Sequence, residues 1–80
     1  SPELRRAEAL RKWLMTWDEP LISSRAIVRL GPNSIRDTAT ANAAIEVLVK
    51  HGWLTPITGG ATVEGKAVRQ AWKIVKEEEQ

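Results

Sequence analysis

The stretch that most constrains this chain is Asp37–Leu54, DTATANAAIEVLVKHGWL. Ala41, Ala44, Ile45 and Leu48 fall at i, i+3, i+4 and i+7, the spacing that makes a single apolar stripe on a helix. Gly52 stands where a left-handed C-terminal cap belongs, with His51 in the last turn and Trp53 placed to fold back on the helix. A helix with one apolar stripe needs neighbours to cover it. The residues before it read as that packing, and those after it as a flanking hairpin.

Ser1, Pro2 and Glu3 form a helix start: a hydroxyl N-cap, proline at the first position and an early acid that suits the dipole. Leu4, Ala7, Leu10, Leu14 and Trp17 recur at three to four residues, with Trp13 beside them, which predicts a helix over 2–16. Asp18-Glu19-Pro20 breaks it, because proline lacks the N–H and disfavours helix at the preceding residue. Leu21-Ile22 is a minimal strand. Ser23 or Ser24 caps a second helix over 24–30 with Ala26, Ile27 and Leu30 inward, and Gly31-Pro32 ends it. The third helix has two possible starts. Ser34-Ile35-Arg36-Asp37 fits a capping box, although the box acid is more often Glu; alternatively Asp37 or Thr38 is the cap.

After Gly52 the pattern becomes extended. Trp53–Thr58 is β-branched and aromatic, and Pro56 argues for an edge strand. Gly59-Gly60 and Gly65 bracket a polar turn of Ala61, Thr62, Val63 and Glu64. Lys66–Val75 alternates, with Val68, Trp72 and Ile74 on one side and Arg69 and Lys73 on the other, which reads as a half-buried strand. Helix, short strand, helix, turn, helix, hairpin is the order of an α+β winged helix-turn-helix: three helices plus a C-terminal β-hairpin wing. It would occupy residues 1–75, with 76–80 as a flexible tail. The run Ala39, Ala41, Ala43, Ala44 supplies small residues where the third helix crosses the first two.

Eighty residues make one domain with a small core. With no cysteine there is no disulfide framework or thiolate metal site, and His51, the sole histidine, lacks a ligand partner. Four tryptophans and no Phe or Tyr make Trp13, Trp17, Trp53 and Trp72 the expected aromatic core. No apolar run approaches the roughly 20 residues that span a bilayer, and no signal peptide is visible, so the expected compartment is the cytoplasm without a membrane partner. A start at Ser-Pro-Glu without methionine suggests a domain cut from a longer protein. Net charge is +2, but residues 1–75 carry eleven Lys/Arg against seven Asp/Glu, an excess that permits nucleic-acid binding without demanding it.

The string ISSRAIVRLGPNSIRD, then ANAAIEVLVKHGWL and a last strand ending AWKIV, resembles the C-terminal winged-helix segment of a family of phage- and mobile-element-associated bacterial proteins. The likeness covers about residues 7–75 and rests on Ser-Arg-x-Ile-x-Arg-x-Gly-Pro and Leu-x-x-x-Gly-Trp-Leu; the second pattern recurs in many winged helices. Members typically carry a P-loop helicase- or primase-like core upstream. The resemblance implies an accessory module of a DNA-replication-related protein, one that touches DNA and other domains of its parent.

In a helix-turn-helix the second helix enters the major groove while flanking groups hold phosphates. With Ala41, Ala44, Ile45 and Leu48 inward, the outward face of the third helix is Arg36, Ala39, Thr40, Ala43, Glu46 and Lys50, with Asn42 on a flank. Arg36 suits guanine or phosphate, Asn42 suits adenine, and Thr40 suits either a base or a phosphate. Arg25 and Arg29 on the second helix, and Lys66, Arg69 and Lys73 on the wing, are candidate phosphate contacts. Glu46 opposes deep insertion unless it pairs with Lys50 at i+4. An enzyme is not indicated: there is no nucleophile triad, carboxylate pair, metal cluster or phosphate loop, so no cofactor and no small-molecule substrate are expected. The competing reading is a protein-docking module without nucleic-acid contact, which uses the same helix face or an exposed tryptophan.

Overall fold

The computed structural model describes residues 1–76. Its elements are α1 (Pro2–Leu14), β1 (Leu21–Ile22), α2 (Ser24–Leu30), α3 (Thr38–Lys50), β2 (Leu54–Ile57), β3 (Ala61–Val63), β4 (Lys66–Val68) and β5 (Ala71–Ile74). No described helix is long and apolar enough to cross a membrane. The tail expected at 76–80 falls, beyond Lys76, outside the described residues. Lys76 itself donates from Nζ to the Trp17 carbonyl at 3.3 Å.

Each helix starts on a side-chain oxygen that accepts an otherwise orphaned N–H. Ser1 Oγ accepts from Leu4 at 3.3 Å and Ser23 Oγ from Ala26 at 3.2 Å. At α3 the two possible starts are decided for Asp37, whose Oδ1 accepts the Thr40 N–H at 2.7 Å and whose Oδ2 accepts the Thr40 hydroxyl at 3.1 Å. The Ser34 box goes unused because Ile35 is needed elsewhere: 1% exposed, it plugs the turn between α2 and α3. The helix expected to run to residue 16 stops at Leu14, where Thr16 and Trp17 bond to the carbonyls of Trp13 and Leu14, tightening the last turn.

The C-terminus of α3 closes with Gly52 at φ +82. The Trp53 N–H reaches the Leu48 carbonyl at 2.9 Å and the Gly52 N–H that of Val49 at 3.1 Å. That is the paired bonding of a Schellman cap, and it turns the chain directly into β2.

Ala41, Ala44, Ile45 and Leu48 are all buried, as the stripe requires, against Ala7, Leu10 and Leu14 of α1 and Ala26 and Ile27 of α2. Two expected inward residues are not: Leu4 is 57% and Leu30 46% exposed. Leu30 lies at the end of a seven-residue helix, and Ile35 is the apolar side chain buried in the turn that follows. The expected aromatic core is also corrected. The eight largest fully buried side chains are all leucine or isoleucine, while Trp13, Trp17, Trp53 and Trp72 are half-buried around the rim. A core this small closes more readily around branched aliphatics, and the indole N–H needs a polar partner at its edge. Trp17 Nε1 finds one in the Leu21 carbonyl at 3.0 Å.

The sheet has order β1-β5-β2, all antiparallel, with Leu21 opposite Lys73 on one side and Pro56 opposite Trp72 on the other. Pro56 therefore sits on an edge strand, where its missing N–H costs no ladder bond. The connection from β2 to β5 departs from the expected polar turn and single long strand. Residues 61–68 form a second hairpin, β3 on β4, and the backbone breaks at Arg69-Gln70 before β5. Val63 pairs with Lys66 across a two-residue turn, and both central residues, Glu64 (φ 53) and Gly65 (φ 75), have the positive φ of a type I′ turn. Val63 is 3% exposed, so the turn end of this hairpin is anchored in the domain.

Candidate nucleic-acid interface

The turn between α2 and α3 brings two arginines together. Arg29 and Arg36 line one polar depression of about 170 Å³ with Val28, Gly31, Pro32, Asn33 and Ile35. Arg36 is not on α3, as a start at Ser34 would have placed it. It lies in the turn immediately before the cap, and its Nε donates to the Asn33 carbonyl at 3.2 Å, which leaves the guanidinium end exposed. Arg25 is exposed in the first turn of α2.

At the start of α3, Thr40 is half-buried and its hydroxyl proton is used by Asp37, so toward a ligand it offers lone pairs only. The Asp37 carboxyl is held below the usual carboxylate range, first by the Thr40 N–H, then by the Thr40 hydroxyl, with a smaller pull from Arg6 on α1. A carboxylate thus occupies the N-terminus of α3.

Farther along, Asn42, Glu46 and Lys50 rim a groove of about 420 Å³ whose walls are Ile45, Val49, Pro56, Gln70 and Trp72. Glu46 and Lys50 do not close the i,i+4 ion pair. Among the described residues the ion pairs are Arg11–Glu8 on α1 and Arg29–Glu64, which joins α2 to the hairpin. The Arg11 guanidinium also lies 5.1 Å above the Trp53 ring, so that indole face is already covered by a cation.

On the wing, Lys66 follows the β3–β4 turn directly and Arg69 lies between β4 and β5, both exposed. Lys73 is exposed on β5, but strand alternation puts it on the opposite face from Trp72, and so away from the groove beside α3. The structure therefore gathers Arg29 with Arg36, and Asn42 with Lys50, and separates Lys73 from both. Sequence reasoning missed Glu64, whose Oε1 accepts from Arg29 Nη2 at 2.7 Å across 35 positions. No local spacing could signal it. Gln70 and Trp72 as walls of the α3 groove were missed because they reach it only through the β2–β5 pairing.

Three helices ending in a helix-turn-helix, with a small antiparallel sheet and an appended hairpin, define a winged-helix domain. The chain belongs to the family of YfjI-like C-terminal winged helix domains, whose family model matches residues 5–73. No match to a curated protein or to a solved structure was found.

Proposed function

We propose that this domain is a non-catalytic DNA-binding module of a larger replication or mobile-element protein, with a helicase- or primase-like core elsewhere in that parent. The observation that carries the reading is the convergence of Arg29 and Arg36 on one polar depression at the helix-turn-helix turn. Winged helices present DNA with the second helix of the motif, and phosphate contacts beside it fix its register. In this arrangement α3 enters the major groove. Asn42 faces bases, Thr40 accepts from a base amino group, and Arg36 takes a guanine edge or a phosphate. Arg25 and Arg29 hold the backbone on one side, and Lys66 and Arg69 do so from the wing, with Lys73 and Lys50 adding longer-range attraction. Small side chains at Ala39 and Ala43 allow close approach.

A second reading has its own support. The groove beside α3 has apolar walls in Ile45, Val49, Pro56 and Trp72 under a polar rim, which suits a protein segment from another domain. A titration with duplex DNA at low and high salt separates the two. The DNA reading expects shifts around Arg25, Arg29, Arg36, Asn42 and residues 64–69 that shrink steeply with salt. Unmoved signals at low salt would reject it in favour of protein docking.

A further inference from the structure

We infer that the Arg29–Glu64 ion pair is a latch: it holds the tip of the β3–β4 hairpin on the body of the domain and keeps Arg29 from phosphate until a DNA backbone displaces the carboxylate. The inference rests on the DNA-binding reading above and adds to it a closed state of the wing.

Glu64 occupies the first central position of a type I′ turn at φ 53, a place that normally takes asparagine, aspartate or glycine. Turn chemistry does not account for a glutamate there. What distinguishes it is reach: its carboxylate meets Arg29 Nη2 at 2.7 Å. A second tether supports the same closure, since the Glu64 backbone N–H points to Glu19 Oε1 at 3.4 Å, in the segment between α1 and β1. The turn end of the hairpin is thus held twice, by buried Val63 and by Glu64 beside it. Lys66, two residues beyond Glu64, travels with the tip.

Arg29 has two anionic claimants. On one side is Glu64; on the other is the depression it shares with Arg36, where a phosphate would sit. Phosphate oxygens accept from guanidinium in the same charge-assisted way as a carboxylate, so one can replace the other without new geometry. The pair is weak enough to be exchanged. Its side chains are 50% and 32% exposed, and exposed ion pairs shift an equilibrium by a factor of only about two to five. A phosphate that also contacts Arg36 outcompetes it. Displacement loosens the tip, which Val63 alone then anchors, and leaves Lys66 beside it to meet the backbone.

The test uses Glu64→Gln, which keeps the side-chain length and removes the charge, together with Arg29→Ala and the double variant. Anisotropy of a labelled random-sequence duplex at low salt measures affinity. Amide hydrogen exchange of the DNA-free proteins measures opening of residues 61–68. The latch predicts that Glu64→Gln tightens DNA binding about two- to fivefold and speeds exchange at 61–68 by a similar factor. It also predicts that Glu64→Gln gains less than half as much in the Arg29→Ala background. Equal tightening in both backgrounds would mean simple loss of a repelling charge and would overturn the latch. So would wild-type affinity together with wild-type exchange in Glu64→Gln. If no variant binds the duplex, the DNA-binding reading fails, and exchange alone decides whether the pair closes the hairpin.

Discussion

Replacing Gly52 tests the cap that organises the fold, and the structure separates the two costs that a glycine substitution usually mixes. A Cβ built at Gly52 meets no heavy atom within 4 Å, so sterics outside the residue contribute nothing. What remains is backbone strain at φ +82. An L-residue in the left-handed region costs about 1–2 kcal/mol, while losing glycine's freedom in the unfolded chain returns roughly 0.4–1 kcal/mol. Gly52→Ala is therefore expected to destabilise by about 1 kcal/mol, which lowers Tm by roughly 4–8 °C in a domain of this size. D-Alanine at the same position, introduced by chemical synthesis, has no such strain and keeps the entropic gain, so it is expected to stabilise by about 0.5–1 kcal/mol. Thermal and urea unfolding of the three proteins measure both signs. If L-alanine is neutral, or if D-alanine destabilises, the left-handed cap is not what demands glycine and the reasoning is wrong.

Other expected outcomes follow from the core, the cap and the charged turn. Leu10→Ala, at a fully buried site, should cost about 2–5 kcal/mol. Leu30→Ala, 46% exposed, should change stability by no more than about 0.5 kcal/mol in denaturant unfolding. Because the Asp37 carboxyl titrates below its ordinary range when folded, its contribution is complete above that range and disappears as pH falls through the folded value. Asp37→Ala should therefore be less stable than wild type at neutral pH, with the difference shrinking toward pH 2 in acid-unfolding curves. Arg36→Ala should weaken duplex binding and lower the slope of log affinity against log salt by about 1.

What was legible in the sequence was local. Ser1, Ser23, Asp37 and Gly52 mark helix ends through bonds that reach three to five residues, and the α3 stripe is a periodicity within one helix. The three helices and the pairing of the strand after Gly52 with the last strand followed from those signals. The rest depended on contacts that no spacing encodes. Whether Leu30 or Ile35 fills the core is decided by how α2 meets the turn, and both are equally apolar in the chain. The pattern at 61–64 is that of a polar turn and at 66–75 that of one strand, yet Val63 finds a buried place, Glu64-Gly65 adopts the tight turn and β4 pairs with β3 instead of continuing into β5. The tryptophans illustrate a size limit, since their spacing matched a core face but a small core cannot enclose four indoles. The candidate site divides the same way. Asn42 could be proposed from helix geometry, whereas the place of Arg36 in the turn, the partnering of Arg29 by Glu64 and the separation of Lys73 required the assembled fold.

The most direct test of the account is a titration of the labelled domain with duplex DNA, followed residue by residue at low and at physiological salt. The account predicts shifts at Arg25, Arg29, Arg36, Asn42 and residues 64–69, with affinity that falls as salt rises. Signals that stay still at low salt, or that move only at Trp72 and its groove neighbours without salt dependence, would contradict it.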